Sequence, residues 1–182
     1  IDYGQALVHH QEGEVRSNLL AEIGRTAYEH LQREDDAVRF LNEASLANPP
    51  SVEAAQILEA IHGRRGAWEQ VVEALMRQAR AVGGPASAAL YLKAARTRRD
   101  MLHDRRGAAS IYDQVLRVAP SDVEALRFKG DFLFEYNDLD QAVDAYSKLD
   151  AIDQERDLDD FDVQMETALF YYRFGEALRR LG

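Results

Sequence analysis

The sequence predicts an all-α fold, a solenoid of antiparallel helix hairpins, and three observations lead to this prediction. Helix-favouring Ala, Leu, Glu, Arg and Gln dominate the 182 residues, and only four prolines interrupt them. Apolar residues recur at the three- and four-residue spacing of amphipathic helices. The chain also matches itself at an offset of 71 residues, and such internal repeats are typical of stacked helical hairpins.

The 71-residue offset pairs identical residues along most of two successive units. The matches include Leu19 with Leu90, Arg25 with Arg96, Ala37 with Ala108, Pro49 with Pro120, Glu53 with Glu124 and Gln70 with Gln141. Each unit divides into two hairpins, so we expect hairpins at about 15–47, 51–82, 86–118 and 121–150. A half repeat at 1–12, an acidic insert at 150–162 and a half repeat at 162–182 complete the predicted organisation.

The hairpin at 121–150 carries the clearest local signals. Ser121 and Glu124 have the spacing of a capping box, which predicts Ser121 as the N-cap of the first helix. Asn137 and Asp138 then interrupt the apolar pattern and predict a turn. A second amphipathic helix follows from Leu139 onward.

Small residues and prolines at fixed distances resemble the signature of the tetratricopeptide repeat. Gly130 is followed after twelve residues by Ala142, and the seven-and-five spacing of the family recurs twice, in Ala37, Ala44, Pro49 and in Ala108, Val115, Pro120. Small residues let two helices approach closely, and Pro ends a hairpin. The hairpin at 51–82 departs from the pattern, since Glu59 and Val71 replace both small residues. The resemblance implies that residues 1–182 form one right-handed superhelical solenoid, open at both ends.

In that family the first helix of each hairpin lines a concave face, and the resemblance implies that this face binds another protein. Counting from the small residue of each first helix places seven arginines and seven acids on this face, Asp131 among the acids, so the predicted groove is near neutral, with apolar residues between the arginines. The candidate partner-binding residues are Arg25, Tyr28, Arg64, Leu92, Arg96, Arg99, Arg127 and Phe134. A partner with an acidic and apolar strip would suit them. The alternative is that the arginines are solvated and paired with neighbouring acids.

Aromatic residues on helical stripes predict core positions. We expect Trp68, Tyr112, Tyr146, Tyr171 and Phe174 to be buried. The acidic insert, with Asp157, Asp159, Asp160 and Asp162, lacks the Gly and the distal Glu of a calcium loop and is interpreted as solvated. Exposed apolar faces at the two ends of the solenoid suggest self-association.

Composition narrows the functional classes. The net charge is −10 and the pI is near 5.0, which argues against nucleic-acid binding. Without cysteines there can be no disulfide and no thiolate ligand, and no motif for a cofactor, a metal or a catalytic group is present. No apolar run is long enough for a membrane span. We expect a cytoplasmic location, with the periplasm as the alternative because the chain begins at Ile1 without Met.

The predicted function is therefore a protein–protein interaction scaffold and not an enzyme. Three lysines against nineteen arginines suggest a GC-rich, bacterial source, and the degenerate repeats suggest a larger multi-repeat protein of assembly, motility, polarity or envelope machinery. Two alternatives stay open: an RNA-binding helical repeat, whose groove should be strongly basic, and a regulatory module of an enzyme encoded elsewhere.

Overall fold

A computed structural model describes Val8 and residues 11–153 and 161–181. Within these residues the fold consists of nine α-helices and a 3₁₀ turn at Pro85–Ser87, without strands, and the predicted helical-hairpin class is confirmed. The helices are α1 (Gly13–Glu29), α2 (Glu34–Ser45), α3 (Val52–Arg64), α4 (Trp68–Val82), α5 (Ala88–Asp100), α6 (Arg105–Val118), α7 (Val123–Glu135), α8 (Leu139–Asp153) and α9 (Phe161–Leu181). The predicted half repeat 1–12 and acidic insert 150–162 lie largely outside the described residues.

The chain forms two compact units, Ile1–Asp104 and Arg105–Gly182. In the first unit α1 packs on α2, α3 on α4 and α5 on α4, while α3 also contacts both α1 and α2. In the second unit α7 packs on α6 and α8, and α9 contacts both α8 and α7. Contacts between alternate helices place successive first helices side by side, which is the tetratricopeptide-like arrangement. The unit boundary falls inside the predicted hairpin 86–118, so α5 and α6 belong to different units.

Two glycines lie where the helices of a hairpin approach most closely. A Cβ atom added to Gly24 of α1 would lie 2.6 Å from Cγ of Leu41 on α2. A Cβ atom added to Gly130 of α7 would lie 2.6 Å from Cδ1 of Tyr146 on α8. These distances are far below van der Waals contact, so a glycine at each of these two positions leaves room for a large side chain of the second helix.

The apolar interior of each unit lies between its helices. The first unit buries Leu20, Ala27, Ala37, Leu41, Ala44, Leu58 and Ile61 in one cluster, and the second buries Leu126, Ala142, Tyr146, Leu149 and Phe170. Tyr112 is also fully buried, as predicted. Tyr171 is a correction, since its side chain is 45% exposed and its hydroxyl donates to Asp150 at 2.9 Å. Its position has the spacing of a core face, but the residue lies at the surface beside α8.

The helix ends use local capping, with one difference from the prediction. Ser51 caps α3, where its hydroxyl accepts from the backbone N–H of Ala54 at 3.2 Å. For α7 the sequence predicted Ser121 as the cap, but Asp122 holds that place and accepts from the N–H of Ala125 at 2.9 Å. Aspartate caps as well as serine does, and its charge also complements the positive end of the helix. The predicted turn is formed with Asn137 at φ +60°, a conformation that asparagine tolerates.

Candidate partner-binding groove

A surface groove of about 580 Å³ lies in the first unit, between α1, α3 and α5. Its walls carry aromatic and cationic side chains, and two residues without bulk, Ala60 and Gly63, lie between them. The remaining lining residues are Tyr28, Glu59, Arg64, Trp68, Val71, Lys93 and Thr97. Three of the lining helices, α1, α3 and α5, are the first helices of predicted hairpins, and α4, a second helix, contributes Trp68 and Val71.

One side of the groove is built from Tyr28 of α1 and Arg64 of α3. The guanidinium carbon of Arg64 lies 5.0 Å from the centroid of the Tyr28 ring, within the range of a cation–π contact. Tyr28 is partly buried against the apolar cluster of the first unit, and Arg64 is exposed. The contact positions the guanidinium over the ring, and a guanidinium has N–H donors that can bind a carboxylate.

The other side is organised around the carboxylate of Glu59, at the position where other hairpins have a small residue. Gln78 of α4, a buried residue, donates from Nε2 to Glu59 Oε2 at 2.7 Å. Lys93 of α5 lies with Nζ 2.5 Å from Glu59 Oε1. Glu59 is therefore neutralised and hydrogen-bonded from two neighbouring helices, and it fixes the position of Lys93 at the edge of the groove.

The other candidates of the first unit occupy different surroundings. Arg25 forms an ion pair with Glu53 at 3.0 Å, between α1 and α3. Arg99 donates from Nε to Asp100 at 2.6 Å, and this hydrogen bond lowers the pKa of the Asp100 carboxyl. Arg25 and Arg99 thus fit the alternative in which the arginines pair with nearby acids. Leu92 and Arg96 lie on α5 but do not line the groove, which α5 lines with Lys93 and Thr97 instead.

The candidates of the second unit lie near its packed interior. Phe134 packs against the buried cluster of that unit, and the Arg180 guanidinium lies 5.2 Å from its ring centroid. Arg127 is only partly exposed, and its Nε and Nη2 atoms are buried. Arg127 is therefore not the exposed surface residue that counting from the small residue of the repeat predicted.

Asp131 was also projected onto the binding face, but it joins three helices of the second unit. The Tyr146 hydroxyl of α8 donates to Asp131 Oδ1 at 2.8 Å, and Arg173 of α9 lies 2.5 Å from Oδ2. Burial raises the pKa of the Tyr146 hydroxyl, and the Asp131 charge adds to that effect. Asp131 therefore holds the hairpin of α7 and α8 to α9.

Sequence reasoning missed Glu59, Lys93 and Thr97 as groove residues, and it placed Trp68 in the core although it is partly exposed in the groove wall. One signal could have found the first two. A glutamate at a position that the repeat reserves for a small residue needs partners of its own. Such a residue indicates a polar cluster between neighbouring helices.

The described parts of the chain contain neither a metal-binding cluster nor a membrane-spanning helix. No group of three or more His, Asp or Glu side chains there is placed to hold a metal ion. None of the helices described combines the length and apolar character needed to cross a membrane.

Comparison with solved structures finds helical-repeat proteins at low sequence identity. One MamA structure, labelled AMB-1, shares 20% identity over 92% of this chain and 89% of that chain, with a TM-score of 0.49. Another MamA crystal structure shares 18% identity over 84% of this chain and 85% of that chain, with a TM-score of 0.46. PilF of Pseudomonas aeruginosa shares 10% identity over 91% of this chain and 76% of that chain, with a TM-score of 0.48. No family model and no curated protein sequence matches the chain significantly. The described residues form tetratricopeptide-like helical hairpins, on the evidence of their own packing.

Proposed function

We propose that the chain is a protein–protein interaction scaffold, and that its first unit binds an extended peptide segment of a partner in the groove between α1, α3 and α5. The observation that carries the proposal is the groove itself, in which aromatic and cationic side chains flank the small residues Ala60 and Gly63. A Cβ atom added to Gly63 would meet nothing within 4 Å, so a peptide backbone can approach α3 there.

The chemistry of the groove favours a peptide with an acidic residue beside an apolar or aromatic one. Glu59 is neutralised by Lys93, so Arg64 supplies the excess charge of the lining, in a chain whose net charge is −10. A planar guanidinium already positioned over the Tyr28 ring is suited to bidentate binding of a carboxylate. Trp68 offers a partly exposed ring to the neighbouring apolar residue of the peptide.

The wider setting is part of the same proposal. Repeats of this kind stack in one dimension and present extended surfaces to partners. Together with the arginine-rich composition, this favours a scaffold within a larger bacterial multi-repeat protein of an assembly, motility or envelope machine. An RNA ligand is disfavoured because the groove lining includes Glu59 and carries little excess positive charge.

A random-peptide display screen on the immobilised chain tests the proposal without a known partner. We expect the selected peptides to be enriched in Asp or Glu next to aromatic or aliphatic residues. Titration calorimetry with one selected peptide should then show at least a roughly tenfold loss of affinity, about 1.4 kcal/mol, for Arg64→Glu. Reversing the acid of the peptide to Lys should restore part of the loss.

Arg80→Glu is the matched control, because Arg80 is an exposed arginine on α4 outside the groove lining. It makes the same charge change and should leave peptide binding unchanged. If Arg64→Glu and Arg80→Glu lost equal peptide affinity, overall charge would explain the effect, and binding in the groove would be contradicted. Binding of a single-stranded RNA oligonucleotide, with no peptide selected, would favour the RNA-binding alternative.

A further inference from the structure

The groove between α1, α3 and α5 contains a carboxylate among its cations. Glu59 of α3 lines the groove together with Arg64 of the same helix and Lys93 of α5. The side chain of Glu59 is 19% exposed, so most of it is shielded from solvent. A carboxylate in this place repels an acidic peptide unless its charge is already taken up within the groove.

Glu59 is held at both carboxylate oxygens. The buried Gln78 of α4 donates from Nε2 to Glu59 Oε2 at 2.7 Å, and the same Nε2 lies 3.4 Å from the carbonyl oxygen of Ala55. Lys93 Nζ lies 2.5 Å from Glu59 Oε1. Because the amide of Gln78 is itself fixed between two acceptors, the carboxylate keeps one orientation, with an oxygen bonded to Lys93.

The two cations of the groove differ in how their charge is used. Arg64 makes the cation–π contact with Tyr28, and no carboxylate of the described residues pairs with it. Lys93 is 61% exposed, so its ammonium is accessible, but Glu59 already shares its charge. A peptide carboxylate that reaches Lys93 therefore meets attraction from the ammonium and repulsion from Glu59, and the two largely cancel.

The spacing along α3 places the two cations at different positions of a bound peptide. Glu59 and Arg64 are five residues apart. This is about 7.5 Å along the helix axis at about 1.5 Å per residue. An extended peptide advances by about 3.3 Å per residue. When its acid is bound at Arg64 and it runs along this stretch of α3, a residue two or three positions away lies beside Glu59 and Lys93.

We propose that Glu59 sets the charge selectivity of the groove, an inference that rests on the proposed peptide binding. Glu59 restricts the partner segment to one acid, bound at Arg64, with an uncharged residue beside Lys93. A second acid would have to share Lys93 with Glu59, and a lysine would have to share Glu59 with Lys93, whereas an uncharged residue leaves the pair intact. The partner segment therefore carries an isolated acid next to an apolar residue, and not a run of acids.

Residue replacements in one peptide from the display screen test the selectivity. The peptide is chosen to have a single acid and to lose affinity in Arg64→Glu. Each position two or three residues from that acid is replaced in turn by Gln, Glu and Lys, and the affinities are measured by titration calorimetry. The parent chain should bind the Gln peptides at least as tightly as the Glu and Lys peptides.

Two variants of the Glu59–Lys93 pair should shift this preference in opposite directions. Glu59→Gln keeps an oxygen for Gln78 and frees Lys93, so the ratio of Glu-peptide to Gln-peptide affinity should rise about tenfold at one of these positions. Lys93→Gln leaves the Glu59 charge without its ion pair, so the ratio of Lys-peptide to Gln-peptide affinity should rise at the same position. A purely structural role of Glu59 would change all three affinities by the same factor.

Glu53→Gln is the matched control on the same helix, because it makes the same charge change as Glu59→Gln. Glu53 is also paired with a cation of a neighbouring first helix, Arg25 at 3.0 Å, but it does not line the groove. Both affinity ratios should equal those of the parent chain. The circular dichroism spectrum and thermal unfolding of each variant should match those of the parent, which shows that the first unit remains folded.

A Glu-to-Gln affinity ratio in Glu59→Gln no higher than in Glu53→Gln would overturn the selectivity, while the groove itself would stand as long as binding depends on Arg64. Selected peptides in which two acids within three positions both raise the affinity for the parent chain would also overturn it. If Glu59→Gln does not fold, the exposed variant Lys93→Gln decides, and an unchanged Lys-to-Gln ratio there would contradict the selectivity. Failure of the peptide site as a whole is a different result, because Arg64→Glu would then leave binding unchanged.

Discussion

Replacing four helical glycines by alanine, one at a time, tests the close helix contacts most directly. Each unit supplies one glycine that faces a large side chain and one that faces open space. In the first unit these are Gly24 and Gly63, and in the second they are Gly130 and Gly175. The chemical change is the same at all four positions, so only the surroundings of the added methyl group differ.

The magnitudes follow from two opposing effects. Alanine is favoured over glycine in a helix interior by up to about 1 kcal/mol, and by less at Gly63, the last residue but one of α3. At Gly24 the new Cβ would lie 2.6 Å from the buried Leu41 side chain, and at Gly130 it would lie 2.6 Å from the Tyr146 ring. Overpacking of this kind costs about 1–3 kcal/mol. The Tyr146 ring has little freedom to move, because its hydroxyl is bonded to Asp131 at 2.8 Å.

We therefore expect Gly63→Ala and Gly175→Ala to stabilise their units by up to about 1 kcal/mol, while Gly24→Ala and Gly130→Ala should be neutral or destabilise by up to about 2 kcal/mol. Within each unit the two variants should differ by about 1–3 kcal/mol, because only the variant at the close contact is overpacked. Thermal unfolding followed by circular dichroism should show this as a gap of at least about 4 °C.

The test is the difference in melting temperature between the two alanine variants of one unit. If Gly130→Ala raised the melting temperature as much as Gly175→Ala, the Tyr146 ring would not lie over Gly130, and the hairpin register would be wrong. The same holds for Gly24→Ala against Gly63→Ala.

Two further predictions concern the second unit. Ala142→Leu should lower the free energy of unfolding of this unit by about 1–3 kcal/mol in urea titrations, because Ala142 is fully buried. Ala151→Leu, at an exposed position, should change it little. Equal effects of the two substitutions would contradict the predicted helix register. Hydrogen bonds from Arg179 and Arg180 lower the pKa of Glu176 to about 2, so its carboxyl ¹³C resonance should stay that of the charged form until the pH falls well below 4. The double variant Arg179→Gln, Arg180→Gln should raise the pKa of Glu176 toward the usual glutamate value. An unchanged titration of Glu176 in this variant would contradict the pairing.

Much of the helical fold could be predicted because its signals are local. The spacing of apolar residues, the turn at Asn137 and the small residues Gly24 and Gly130 depend on nearby backbone geometry or on one close contact. The exchange of Ser121 for Asp122 as a cap shows the limit of such signals. Two good capping residues in succession leave the start of the helix ambiguous by one position.

Burial was harder to predict, because it depends on which neighbours are present. The spacing that predicted a core position for Tyr171 is correct for a first helix of this repeat, and Leu20 of α1 shows that position buried. In α9 the same position is exposed, and the hydroxyl of Tyr171 bonds to Asp150 of α8. Periodicity identifies a face of a helix but does not state whether another helix lies against it.

The candidate site was predictable in its location more than in its residues. The repeat register led to Tyr28 and Arg64, which meet in the groove, but also to Asp131, which bridges helices instead. A long side chain can reach a partner on another helix, as Arg173 of α9 does toward Asp131 of α7. Register fixes where a Cα atom lies, whereas hydrogen-bond partners decide where the charged group goes.

The carboxylate of Glu59 bears on how the chain avoids folding errors. Two segments 71 residues apart are alike, and such segments can exchange partners during folding. The counterpart of Gln78 at that offset is Leu149, which has no hydrogen bond to offer. If α3 paired with α8 in place of α4, Glu59 would lose its amide partner and face an aliphatic side chain, at the cost of leaving a carboxylate without its hydrogen bond in an apolar contact. Glu59, at a position that is small in the other hairpins, therefore favours the pairing of α3 with α4 over its pairing with α8.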